Sequence, residues 1–128
     1  MWSRFHDYCA LGDEIRNVAD ASVPRDSTVL VISHGDEQLL QLGTRRAWHF
    51  PRTQAGVYAG SHPADSADAI SRLKALREQG ADFLLVPSTA WWWFDHYDEF
   101  ARYLERTARQ VVRHEACVIY SLATDSER

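Results

Sequence analysis

Along residues 2–21 the apolar side chains Phe5, Tyr8, Cys9, Ile15 and Val18 recur at about helical spacing, with Asp7, Asp13, Glu14 and Arg16 between them. That pattern predicts an amphipathic first helix over 1–21. Gly12 weakens its middle and leaves room for a kink or a break. Pro24, Asp26 and Ser27 then end it, because proline turns its predecessor away from helical angles and the polar pair favours a turn. Residues 28–33 are β-branched and almost continuously apolar, as suits a strand at the sheet centre covered on both faces. A turn at 34–37 leads into one or two helical turns over 37–42, closed by Gly43. Residues 45–50 read as a second strand, with Trp48 and Phe50 on one side and Ala47 and His49 on the other, and Pro51 stops it.

Residues 52–64 carry Gly56, Gly60 and Pro63 without periodicity, so a loop is expected there, one long enough to serve as a flap. Asp65 or Ser66 should cap the next helix, whose inward stripe is Ala69, Ile70, Leu73 and Leu76 and whose left-handed stop is Gly80. Residues 82–87 form a third apolar strand, expected beside and parallel to the first with the 65–79 helix as a right-handed crossover. Ser88 or Thr89 should cap a single helix beginning at Trp91, Trp92 and Trp93. Its buried stripe is Trp93, Tyr97, Phe100 and Leu104, leaving Trp91 and Trp92 turned elsewhere. Asp95, Asp98 and Glu99 near its start and Arg102, Arg106 and Arg109 near its end suit the helix dipole. Two strands over 110–114 and 116–122, with a turn near Glu115, form an antiparallel hairpin at one edge of the sheet, and 123–128 is a polar tail. The fold expected is therefore α/β: a three-layer Rossmann-like sandwich, mostly parallel, with an antiparallel C-terminal hairpin, in one domain over 1–128.

Composition narrows the function classes. The chain has 128 residues, 45% of them hydrophobic and 25% charged, enough for one ordinary core without metal or disulfide staples. A net charge of −4 with scattered Lys and Arg offers no landing surface for nucleic acid. No apolar run has the length of a membrane span, and residues 1–6 lack the pattern of a signal peptide, so a cytoplasmic protein is expected. Cys9 and Cys117 are far apart in sequence and among apolar neighbours, which predicts buried free thiols.

In an open parallel sheet, ligands bind beyond the carboxyl ends of the strands. Those ends gather Ser33, His34, Asp36 and Glu37 after the first strand, His49 and Arg52 after the second, and Ser88, Thr89 and Trp91 after the third. Together these residues could hold a sugar or small anionic ligand, with arginine for an anion, amides at the Thr89 helix start and tryptophan for stacking. The same residues also suit turns and caps. Histidine and carboxylate spacings match no metal motif, residues 33–36 carry a single glycine where a dinucleotide site needs several, and GxSxG is missing. No cofactor or metal is therefore expected. The i, i+4 acids Asp95 and Glu99 read as solvated helix residues rather than an acid–base pair.

Residues 28–37, 46–51, 56–60, 63–66 and 80–93 together resemble a small α/β domain attached to bacterial glycosyltransferases and other polysaccharide-biosynthesis proteins. The resemblance runs in order over roughly residues 20–122. It implies a setting in cell-surface glycan assembly, as an accessory module or an excised domain of a longer protein, and supplies no catalytic residues. The leading functional expectation is a non-catalytic accessory or ligand-binding domain with a glycosyltransferase domain or a second copy as partner. The alternatives are a small enzyme acting on a sugar or phosphorylated molecule with His34 or His49 as base, and a docking or self-association domain using Trp91 and Trp92.

Overall fold

The computed structural model describes the backbone of residues 8–33, 37–40, 42–43, 45–50, 63 and 65–122, and the side chains of the same residues except 8–10, 37 and 38. Along them run α1 (Tyr8–Ser22), β1 (Thr28–Val31), a 3-10 turn (Glu37–Leu40), β2 (Arg46–His49), α2 (Ser66–Glu78), β3 (Phe83–Pro87), a second 3-10 turn (Ser88–Ala90), α3 (Trp93–His96), α4 (Asp98–Thr107), β4 (Arg109–Arg113) and β5 (Cys117–Ser121). The chain is a mixed α/β protein whose described residues form one five-stranded sheet in the order β2-β1-β3-β5-β4.

β1 pairs in parallel with β2 and β3, whereas β5 runs antiparallel to both β3 and β4. The pairings thus divide evenly instead of being mostly parallel. β1 is interior as its continuous apolar run predicts, but the middle position belongs to β3, because the hairpin adds two strands on the far side. α2 lies in the chain between β2 and β3, so this connection passes over β1.

Strand alternation sorts the core into two clusters. Leu30, Leu84, Val86, Val118 and Tyr120 pack with Ala69 and Leu73 of α2 and with the residues of α3 and α4. Val29, Val31, Leu85, Cys117 and Ile119 pack with Leu11, Ile15, Val18 and Ala19 of α1. α1 runs through Gly12 as one helix, its middle anchored on both sides by buried Leu11 and Ile15. Asp65 caps α2 as expected, accepting a hydrogen bond from the Asp68 amide at 2.9 Å. Gly80 follows with φ +107°, a conformation that side-chain-bearing residues resist.

The single helix expected from Trp91 is instead divided. Tyr97 adopts φ −115°, ψ 67° between α3 and α4, so Asp95 and Glu99 fall on separate helices and Arg109 opens β4. Neither Ser88 nor Thr89 caps a helix, and the residues that precede these segments, Pro87, Trp92 and Tyr97, make no side-chain capping bond. Contacts with distant segments surround the break. The Tyr97 hydroxyl donates to the Pro63 carbonyl at 2.7 Å, and its ring meets Trp93 at 4.9 Å, with Trp93 in turn against Phe50 at 6.0 Å and Phe100 at 5.9 Å. The stripe Trp93, Tyr97, Phe100 and Leu104 is nonetheless buried throughout.

Candidate functional site

The parallel strands end where topology nominates a site. Ser33, just beyond β1, and His49, the last residue of β2, are both buried, and Ser33 Oγ lies 2.5 Å from His49 Nδ1. The Phe50 amide continues the ladder by donating to Val31 at 2.8 Å. His49 shares the strand face of Ala47 and pairs with Val31, so by alternation it belongs to the side of the sheet that carries α1. His34, Asp36 and Arg52 lie outside the described residues.

After β3 the chain turns the other way. The Ser88 amide donates to the Ala116 carbonyl at 2.8 Å, which ties the strand end to the start of β5. Thr89 is exposed in a turn of three residues, too short to align a row of amides on an anion. Trp91 is half-buried against the cluster of α2, α3 and α4, and its indole N–H donates to the Val86 carbonyl at 3.1 Å. His49 and Trp91 therefore sit on opposite faces of the sheet. Trp92 is the outward indole, 39% exposed, with its ring 5.7 Å from that of His96.

Trp91 instead lines a groove of about 560 Å³ between the α3–α4 segment and the β4–β5 hairpin. Phe94 and Tyr120 supply two further rings, 6.4 Å apart in an edge-to-face arrangement. Ala101, Glu105 and Ala108 form the helical wall; their i, i+4, i+7 spacing puts them on one face beside the buried Phe100–Leu104 stripe, and the two alanines keep that wall low. The strand wall carries Gln110 and Arg113, and Val118 joins Tyr120 on the floor.

A register shift builds the strand wall. Gln110 lies opposite Tyr120, Val112 opposite Ile119 and Arg113 opposite Val118, leaving Val111 as the extra residue. In a regular strand, residues 110 and 113 would face opposite sides. The bulge puts both on the Tyr120 face while Val111 and Val112 pack towards the α1 cluster, as bulges commonly re-aim side chains at sites. Periodicity alone pairs Gln110 with Val112, which is why these groove residues are not legible in the sequence; the i, i+4 spacing of Ala101 and Glu105 on α4 is the signal that points to this wall.

Electrostatics centre on the Tyr120 hydroxyl. Burial pushes its pKa up, the Gln110 side chain opposes this by hydrogen bonding, Glu105 adds to the rise and Arg113 opposes it. Among the described residues neither Glu105 nor Arg113 forms an ion pair. No group of three or more His, Cys, Asp and Glu among the described residues could hold a metal, and no helix there is long and apolar enough to cross a membrane. Compared with family models, with curated proteins and with solved structures, the chain finds no match.

Proposed function

We propose that this chain is a non-catalytic accessory domain that binds a small, sugar-sized ligand in the groove beside Trp91. The observation that carries the reading is the groove itself: three aromatic rings and the polar side chains of Glu105, Gln110 and Arg113 around a space of about 560 Å³. That volume falls in the usual range for small-molecule pockets, and apolar walls with a few convergent polar groups are their usual lining. Aromatic faces suit the apolar faces of sugar rings, and the polar groups suit hydroxyls. The resemblance to glycosyltransferase-associated domains supports a place in cytoplasmic steps of cell-surface polysaccharide synthesis, with a glycosyltransferase domain as partner. A three-layer Rossmann-like description of the fold belongs to the same reading, supported by helical residues in both core clusters.

The second reading is an enzyme at the strand ends, favoured by the close Ser33–His49 contact; both side chains are buried, which favours a structural role for that contact. Backbone amide chemical shifts during titration with monosaccharides and nucleotide sugars separate the two. Saturable shifts at residues 105, 110, 113 and 120 are expected, weakened about tenfold or more in Arg113→Ala, a loss on the scale of one charge-assisted hydrogen bond. Shifts confined to residues 33 and 49 would move the function to the strand edge, and no saturable shift anywhere would remove the binding reading.

A further inference from the structure

Sugar-sized volume does not by itself explain two opposite charges in one groove. Glu105 comes from α4 and Arg113 from β4, so helix wall and strand wall carry opposite signs. Both act on the Tyr120 hydroxyl between them, yet they are not bridged to each other or to any other described residue. Among the described residues the lining has no other charged side chain, so the formal charge of these residues sums to zero while their field is dipolar. A neutral polyol gains nothing from that polarity beyond hydrogen bonds, and a purely anionic or cationic ligand meets one favourable and one repulsive wall.

The rings add a preference for a cation. Trp91 has its indole N–H engaged by the Val86 carbonyl, Phe94 has no polar atom in its side chain, and the Tyr120 side chain is largely buried. What these side chains have left to offer a ligand is chiefly their aromatic surface. Ammonium groups are attracted to the faces of such rings, most strongly where water is partly excluded.

We propose that the ligand of this groove is a zwitterion on a sugar-sized scaffold, an amino sugar acid, with its ammonium group against the aromatic rings and Glu105 and its carboxylate on Arg113. The assignment rests on the ligand-binding reading of the groove. Arg113 can hold the carboxylate through two parallel N–H donors, and Glu105 neutralises the ammonium from the opposite wall.

Four sugars on one pyranose scaffold test it: glucose, glucosamine, glucuronic acid and 2-amino-2-deoxyglucuronic acid, titrated by calorimetry at neutral pH and low salt against the native chain, Glu105→Gln and Arg113→Gln. Both side chains are exposed, so unchanged thermal midpoints are expected and confirm folding. The zwitterion should bind at least tenfold more tightly than glucose. Glu105→Gln should erase the advantage conferred by the amine and leave that of the carboxylate, Arg113→Gln should do the converse, and raised salt should shrink both. Equal affinity for all four sugars, or equal weakening of glucose and the zwitterion by each variant, overturns the zwitterion and leaves a sugar groove standing. Failure of all four to bind overturns both.

Discussion

Arg45 shows how one buried charged side chain can join three segments. Its Nε donates to the Val23 carbonyl at 2.9 Å, and its Nη1 donates to Asp20 at 2.9 Å and to the Leu42 carbonyl at 3.0 Å. The arginine side chain is 5% exposed and the Asp20 side chain 59%, so the two ends of this ion pair are unequal. Arg45→Ala leaves buried carbonyls without their donor and should cost about 3 kcal/mol. Asp20→Ala removes a half-exposed partner and leaves both carbonyl acceptors in place, so it should cost less than Arg45→Ala. Urea unfolding of the two variants checks the contrast. Cys117 is the second residue with a definite expectation. Burial pushes its thiol up to about 12, with the Glu14 carboxylate adding to the rise. Because the unfolded thiol ionises near 9, the folded state holds the proton that the unfolded state releases between these values. The associated stability is complete below about pH 9 and is lost as pH rises towards 12. Iodoacetamide should accordingly leave Cys117 unmodified in the native chain at pH 8 and alkylate it in denaturant, as peptide mass spectrometry would report.

At the scale of elements, the ends of α2 and the break between α3 and α4 have different origins. Asp65 and Gly80 are local signals, since a side-chain oxygen three residues before an amide and a residue free to adopt positive φ act through their own backbone. A Cβ placed on Gly80 would meet nothing within 4 Å, so Gly80→Ala isolates backbone strain from steric collision. It should destabilise by about 1–3 kcal/mol, seen as a lower urea midpoint with unchanged slope. The Tyr97 break has no such local mark. Apolar spacing through Trp93, Tyr97, Phe100 and Leu104 is as regular as in an unbroken helix, and the bonds made at the break are long-range: the Tyr97 hydroxyl donates to the Pro63 carbonyl and the Phe100 amide to Ser66 Oγ. The Val111 bulge is likewise invisible along β4, because it exists only relative to β5.

For the whole molecule, placing the antiparallel hairpin beside β3 decides where a ligand can sit. It lays β5 and β4 against the α3–α4 side and gives Trp91 a groove to line, while His49 remains on the other face. The low alanine wall predicts a clean way to close that groove. Ala101→Leu adds a side chain to the helix face that lines it, and should abolish ligand binding while leaving the thermal midpoint unchanged or slightly raised, as paired titration and melting would show. Of the residues nominated by strand topology, the structure joins His49 to Ser33 and turns Trp91 away from them.

Residue order by itself determined the strands, α2 with its cap and stop, the buried stripe of α3 and α4, and the hairpin, because each depends on spacings of a few residues along one segment. Tertiary structure alone decided that β3 holds the middle of the sheet, that the tryptophan helix breaks at Tyr97, and that Gln110 and Arg113 share a face with Tyr120. Those features depend on register and on contacts between distant segments, where a one-residue slip exchanges the faces of a strand and no local periodicity records which partner it meets.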